Sequence, residues 1–451
     1  MLRSSFTGME TARRALFAQR TAIDVTGHNM ANASTPGYRR QRAQMVATPP
    51  SPGAMQPGTG VKVATIERMR DQFVDMQIRH SRASLGRWEA RNGVLEELQE
   101  MFKEPSDIGL STMMDRFWVA WQELSGGATD PGRRTAVIQE ATTLASAFGL
   151  VSRQLKEASD DIQVNIDSLV HSVNATAESI ARLNREIVRG GVVGENISDL
   201  MDQRDLLLDQ LAQDVNITVV ETEEGQVNVS VGSRMLVSGV TAFKMDVGGS
   251  FSGGRIQGLL EAKSEIIPSY QAKLDQLAVA LMERVNAQHS AGVDMAGLPG
   301  GAFFTGTGAA DLAVVSALKI DPNLIAAGMP PADPAAGPTP GDGRNALAMA
   351  QLKDALTMVG TPPTASFRDF YGSVITELGL QTQESSRAAD VYNGVLEQQQ
   401  MRRDAVSGVS LDEELMQLIR YQAAYDAASR LVSVIDEMLD TLINRTGIVG
   451  R

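Results

Sequence analysis

Residues 410–442 read SLDEELMQLIRYQAAYDAASRLVSVIDEMLDTL. Leu418, Tyr425, Val432 and Leu439 recur every seven residues, and Tyr421, Ala428, Ile435 and Leu442 form a second row three residues on. These are the a and d positions of a coiled coil. Leu415, Leu431 and Met438 widen the apolar face. Ser410 stands where a helix cap belongs, and Asp412, Glu413 and Glu414 occupy the first turn, where the helix dipole favours negative charge. The segment is predicted to be one helix that needs a partner for its apolar side.

The opposite end has the same character. Leu2, Met9, Leu16, Ile23 and Met30 recur every seven residues over a predicted helix at about 3–32, with Ala15 and Ala22 beside the stripe to permit close approach. Asn29 and Asn32 suit the end of that helix. Thr35-Pro36-Gly37-Tyr38 then reads as a turn, with Pro fixing φ and Gly accepting positive φ. Residues 1–42 carry seven Arg and two acids, residues 410–451 four Arg and seven acids. Ends of opposite charge can pair with each other or with other copies, and the pattern leaves both open.

Between the ends the period changes twice. Residues 48–60 are a Pro- and Gly-rich loop, with a short strand after it at Val61, Val63 and Ile66. Residues 70–214 are nearly all helical, carrying the rows Phe148, Leu155, Ile162, Leu169 and Ile166, Val173, Ile180, Ile187, with breaks expected at Pro105, Gly126-Gly127 and Gly190-Gly191. Val215, Ile217, Val219 and Val227, Val229, Val231 alternate strictly about Glu223-Glu224-Gly225, a hairpin in a small β region. Helix returns at about 255–289. Residues 290–343 are loop-rich, with one candidate strand from Leu312 to Ile320, and 328–343 read as a flexible surface loop. Further helices follow near 344–358 and 364–405. The fold class is mainly α with a small β domain: coiled-coil terminal helices discontinuous in sequence, a long-helix bundle as middle domain, and an inserted β-rich outer domain.

The chain is 451 residues long, 43% hydrophobic, with a formal net charge of −13 and no cysteine. The acidic balance argues against nucleic-acid binding. The lack of cysteine removes disulfides, thiolate nucleophiles and cysteine metal sites. No apolar run is long enough for a membrane span, so no membrane insertion is expected. The first residues lack the apolar core of a cleaved signal peptide, although their Arg- and Ser-rich composition also suits a transit peptide.

The sequence offers no catalytic constellation. His28, His80, His171 and His289 have no metal-ligand spacing and read as solvated or helix-surface residues. No phosphate-cradling loop is present, and Gly306-Thr307-Gly308 lacks the third glycine of a dinucleotide turn. Ser410 has no nucleophile-elbow context. Asp202, Arg204 and Asp205 read as a surface salt-bridge patch on a helix. Trp88, Trp118 and Trp121 read as packing residues. No catalytic, metal or cofactor site is expected: no constellation supports an enzyme with activity in residues 215–343, and an intracellular coiled-coil scaffold does not explain the stretch from Asn29 to Tyr38 together with two unlike ends.

Asn29-Met30-Ala31-Asn32 followed by Thr35-Pro36-Gly37-Tyr38-Arg39-Arg40-Gln41 resembles the N-terminal signature of the flagellar rod, hook and hook-associated axial protein family. Arg39 stands where Ser or Thr is common there, and Gly27-His28 where Ser-Asn is common. Ser407-Gly408-Val409-Ser410-Leu411-Asp412-Glu413-Glu414, continuing to Tyr421-Gln422 and Tyr425, is similar to the C-terminal signature of the hook-associated branch. Pro105 to Leu110, and Asp202-Gln203-Arg204-Asp205 before the valine-rich hairpin, resemble that branch too. The chain is short for it, as if the variable outer domain were reduced or missing.

The resemblance implies a structural subunit of the bacterial flagellum at the junction of hook and filament, extracellular, and exported by the flagellar type III apparatus without a cleaved signal. A rod or hook subunit is the alternative. It implies self-assembly into a ring or short helical array, contacts with the hook protein and with a second hook–filament junction protein, and a flagellar export chaperone. Axial-core assembly would use Leu2, Met9, Leu16, Ile23, Met30, Asn29, Asn32, Pro36, Gly37 and Tyr38. Assembly and chaperone binding would use Leu411, Leu418, Tyr421, Tyr425, Val432, Ile435, Leu439 and Leu442. The expected segments are 1–42, the axial-core helix and turn; 43–214, the first part of the helical middle domain; 215–254, the first part of the outer β domain; 255–289, a helix returning to the middle domain; 290–343, the loop-rich remainder of the outer domain; 344–409, the second part of the middle domain; and 410–451, the axial-core coiled-coil helix.

Overall fold

The structure, a computed structural model, describes residues 5–49, 58–246, 251–331, 341–358, 363–441 and 443. Leu2, Leu442 and most of the two Pro- and Gly-rich stretches lie outside them. The helices are α1 (Ser5–Ala31), α2 (Gln72–Phe102), α3 (Leu110–Ser125), α4 (Pro131–Val193), α5 (Ser198–Asp214), α6 (Arg255–Glu261), α7 (Ile267–Ser290), α8 (Ser316–Ile320), α9 (Arg344–Gln351), α10 (Phe367–Ser407) and α11 (Leu411–Asp440). One π turn, Ala262–Ile266, joins α6 to α7. The fold is mainly α with small β sheets. The chain divides into two compact units, residues 1–85, 170–254 and 391–451, and residues 86–169 and 255–390.

The first unit holds α1, α11 and a hairpin of β1 (Gln41–Ala47) with β2 (Val61–Arg68). The valines expected to form a strand do so in β2; its partner β1 carries too few β-branched residues to stand out. The same unit holds α5 and a four-stranded antiparallel sheet in the order β3 (Ile217–Glu221), β4 (Val227–Val231), β5 (Arg234–Ser238), β6 (Thr241–Ala242). Val227, Val229 and Val231 are all buried, as their alternation requires. Val173, Ile180 and Ile187 of α4 are buried on the same side as Asn184, which bonds the backbone of Val227 and of Gly239. Gly190-Gly191 does not break α4, which runs on to Val193. A Cβ on Gly190 would stand 2.7 Å from Ile197 Cγ2, so glycine here admits the chain entering α5.

In the second unit, parts of α2, α4 and α10 bundle with α7. Gln99 donates to Thr382, Gln271 to Ser152, and Lys273 pairs with Glu377. Phe148, Leu155 and Ile162 face inward, while Leu169 is only partly buried. An α-helix drifts by roughly 20° per heptad, so no single seven-residue row can stay inward along 63 residues. Phe117, Trp118 and Trp121 of α3 form an aromatic core with Phe303, Phe304 and Phe367. His289 belongs to this core, not to a surface: it is fully buried, its Nδ1 lies 2.7 Å from Gly301 O, and its Nε2 accepts from Ala326 N. A 24-residue helix hides one face, and helical spacing alone did not reveal that His289 lies on it. The candidate strand at Leu312–Ile320 resolves into a two-residue β8 (Ala313–Val314), paired with β7 (Phe304–Thr305), and then α8.

Candidate assembly interface

α1 and α11 lie side by side and antiparallel, both within the first unit. Near one end a Cβ on Gly8 would stand 3.2 Å from Ile435 Cδ1; near the other, Asn29 Nδ2 donates to Glu414 Oε2 at 3.0 Å. The fully buried residues of α1 are Ala12, Ala18, Ala22, Val25, Thr26 and Asn29. Gly8, Ala22 and Asn29, and Ala18 and Val25, keep heptad spacing. It is therefore the small-residue row beside the apolar stripe that seats α11, because small side chains let two helices approach closely. The stripe itself, Met9, Leu16, Ile23 and Met30, is partly buried.

On α11, Ile435, Ala428 and Glu414 are buried, and Tyr421 packs on Ala22, Val25 and Ala43. Leu418, Val432 and Leu439 are partly buried; Tyr425 and Leu411 are exposed. Met416, Ile419, Leu431, Val434 and Met438 form a further exposed apolar set on the helix, and Phe17 is exposed on α1. The helix pair thus uses one face internally and keeps a second apolar face open to solvent.

The root of the pair is polar. Asn29 uses every bonding position of its amide: Oδ1 accepts from Tyr38 OH at 2.7 Å and Gln41 N at 2.9 Å, and Nδ2 donates to Gln41 O and Glu414. Asn32 donates to His28 O and accepts from Thr35. Gly37 has φ +80° and Tyr38 N returns to Thr35 O, which closes the turn; Pro36 and Gly37 are exposed. Arg40 pairs with Glu413 and Glu414. Ser410 begins α11 through its carbonyl, which accepts from Glu414 N; its side chain makes no cap bond. Burial, with the charges of Asp199, Asp202 and Glu414 nearby, pushes the Tyr38 phenol above its usual range, so it stays a donor.

Behind this root lies a buried charge lattice that replaces the expected surface patch. Arg39 forms a bidentate pair with Asp75 at 2.6 and 2.9 Å, and its backbone N–H bonds Asp202. Arg68 bridges Asp202 and Asp205, and Arg79 and Arg403 both hold Asp209. Asp202, Arg204 and Asp205 are each at most 5% exposed. Burial disfavours the Asp205 carboxylate, but Arg39, Arg68 and Arg79 outweigh it and lower its pKa; for Asp202 burial wins and raises it. Arg204 bonds Asn184 and Gly225 O, and burial lowers its pKa to about 10. Charge spacing on a helix cannot tell a solvated patch from a buried lattice whose partners lie more than a hundred residues away.

Among the described residues no cluster could hold a metal ion, and no helix is long and apolar enough to cross a membrane.

Family models place the chain among flagellar proteins. The flagellar hook-associated protein FlgK helical domain matches residues 95–251 and 246–304, the flagellar basal body rod FlgEFG protein C-terminal model matches 404–445, and the flagella basal body rod protein model matches 9–39. The flagellar hook-associated protein 1 of Bacillus subtilis (strain 168) is 31% identical, over 99% of this chain and 100% of that protein. The chain belongs to the flagellar hook-associated protein 1 family. The Escherichia coli (strain K12) member is 24% identical over 97% of this chain and 99% of its own length. The flagellar hook junction protein FlgK from Burkholderia pseudomallei shares the fold, with TM-score 0.64 at 17% identity, over 74% of this chain and all of that one. Hook-associated protein 1 members are structural parts of the flagellum that associate with other axial proteins. The two rod-type models fall on the segments that form α1 and its turn and α11, the elements that pair here.

Proposed function

We propose that the chain is the subunit that joins hook to filament. The observation that carries this reading is the α1–α11 pair, closed on its small-residue face and open on Met416, Ile419, Val434 and Met438. A helix pair with a spare apolar face is stable as one member of a packed array of such pairs. In this reading the pairs line the inner tube of a ring or short helical array, and the rest of each chain lies outside them. Hook protein meets one end of the array and a second junction protein the other.

Export would run through the flagellar type III apparatus, unfolded, to an extracellular site. A chaperone would cover Leu418, Tyr421, Val432 and Ile435 before export. Tyr421 and Ile435 are the residues that α1 later covers, so chaperone and α1 compete for one face. The task is mechanical, a match between a flexible hook and a stiffer filament, and it uses no catalytic group.

Deleting the gene and examining cells by electron microscopy tests this. Bare hooks with filament protein shed into the medium are the expected result. The rod-type matches at both ends favour one second reading, a rod or hook subunit, which predicts loss of hooks as well. Normal filaments would overturn both.

A further inference from the structure

The open face of α11 is a single line of residues. Met416, Ile419, Ala423, Ala427, Val434 and Met438 follow one another at steps of 3, 4, 4, 7 and 4. In a helix of about 3.6 residues per turn, such steps keep to one side. All six are exposed, Met416 by 64% and Met438 by 53%. Arg430 stands in the wide step. Glu414, Ala428 and Ile435, on the other side of the same helix, are buried. A methionine therefore closes each end of the open stripe, with small alanines in its middle.

The two methionines are the reactive part of that stripe. The chain has no cysteine, so thioethers are its only sulfur groups. Hydrogen peroxide converts a thioether to a sulfoxide: the sulfur lone pair bonds one oxygen, the O–O bond breaks, and the other oxygen leaves as water with both protons. Sulfur is oxidised and peroxide is reduced. Met416 and Met438 are open to a dissolved oxidant, whereas Met9 and Met30 of α1 are partly buried. The product is polar and accepts hydrogen bonds, and the side chains of Ile419, Ala423, Ala427 and Val434 have no donor to offer it.

We propose that Met416 and Met438 are oxidation sites that switch this face off. A sulfoxide at either end of the stripe keeps a neighbouring helix pair from seating, and enzymatic reduction of the sulfoxide makes the face apolar again. The proposal rests on reading the open face as a contact between subunits. A polar oxygen carried into that contact without a donor weakens seating about tenfold or more. The two sulfurs stand 22 positions apart, roughly 33 Å along the helix, so oxidation can break either half of the contact. Once the face is covered the thioethers are out of reach, and the switch acts on a subunit before it is seated.

The test uses the full-length chain, partly oxidised with hydrogen peroxide. The mixture is added to deletion-strain cells, whose hooks the junction reading leaves bare. Bound and unbound chain are separated, and sulfoxide at each methionine is measured by mass spectrometry. Met235 in β5 and Met295 in the loop after α7, both exposed and off the stripe, serve as standards within the same molecule. Sulfoxide at Met416 and at Met438 should be depleted about tenfold in the bound fraction, and sulfoxide at Met235 and Met295 should be as frequent there as in the unbound. Methionine sulfoxide reductases should restore binding to the unbound fraction. Equal sulfoxide at Met416 and Met438 in both fractions overturns the inference, as does depletion at all four positions or no recovery after reduction. Untreated chain that does not bind bare hooks overturns the junction reading, and the inference with it.

Discussion

Asn29 and Glu414, 385 positions apart, share a hydrogen bond of 3.0 Å, both nearly inaccessible to solvent. The same carboxylate holds Arg40 through its other oxygen at 2.7 Å. One side chain from each end of the chain thus meets at the root of the helix pair, and every side-chain oxygen and nitrogen of the two has a partner.

Asn29→Ala would leave the Tyr38 hydroxyl, both backbone groups of Gln41 and one bond of Glu414 without their partner. A loss of about 2–4 kcal/mol in folding stability is expected, read from urea denaturation of the full chain. Asn29→Asp should do no better, because it sets a second carboxylate against Glu414.

Ala22 and Leu16 separate the two possible seams. Ala22→Leu overfills the contact with Tyr421 and should cost about 1–3 kcal/mol, with faster amide exchange along α11. Leu16→Ala, on the partly buried stripe, should change monomer stability by less than about 1 kcal/mol, yet weaken association of copies. The reverse order would place the apolar stripe, not the small row, against α11.

Arg39→Met strands the buried Asp75 and should cost about 3–5 kcal/mol. Arg39→Met combined with Asp75→Leu should recover much of that. A double-mutant cycle that shows simple additivity would contradict the bidentate pair.

His289 makes stability depend on pH. Burial lowers its pKa below 6.5, against a smaller opposing effect of the Gly301 bond. The unfolded chain therefore takes up the proton first. The contribution is complete above 6.5 and is lost as pH falls below that value. Thermal unfolding compared near neutrality and about one and a half pH units lower should show a larger drop for the natural chain than for His289→Gln.

Gly190→Ala improves helix propensity and should nevertheless destabilise by about 1 kcal/mol or more, because the new methyl meets Ile197 Cγ2 at 2.7 Å. A gain in thermal stability would show that Ile197 can move aside.

Both terminal helices and the valine hairpin were legible in sequence, since each follows from spacing within one segment; of the aromatic core only Trp118 and Trp121 were marked, as packing residues, because Phe303, Phe304 and Phe367 reach it from distant segments. β1 was not, because a strand of Gln, Arg, Ala and Met with a single Val takes its identity from the neighbour it pairs with. Nor was the seam of α1. Periodicity marked two adjacent heptad rows, one apolar and one small, and only the presence of α11 decided that the small row lies inside. Asp202, Arg204 and Asp205 showed the limit most clearly. Their charges suggested water, and the arginines that bury them come from Arg39, Arg68 and Arg79.

The sequence by itself determined the helix-rich class, the two heptad-bearing ends and the family signatures, because period and turn chemistry act over a few neighbouring residues. Tertiary structure alone decided which face of α1 is seated and that the Asp202–Asp205 turn is a buried lattice. Those outcomes depend on which distant segments meet, and burial, pairing and desolvation have no value until they do.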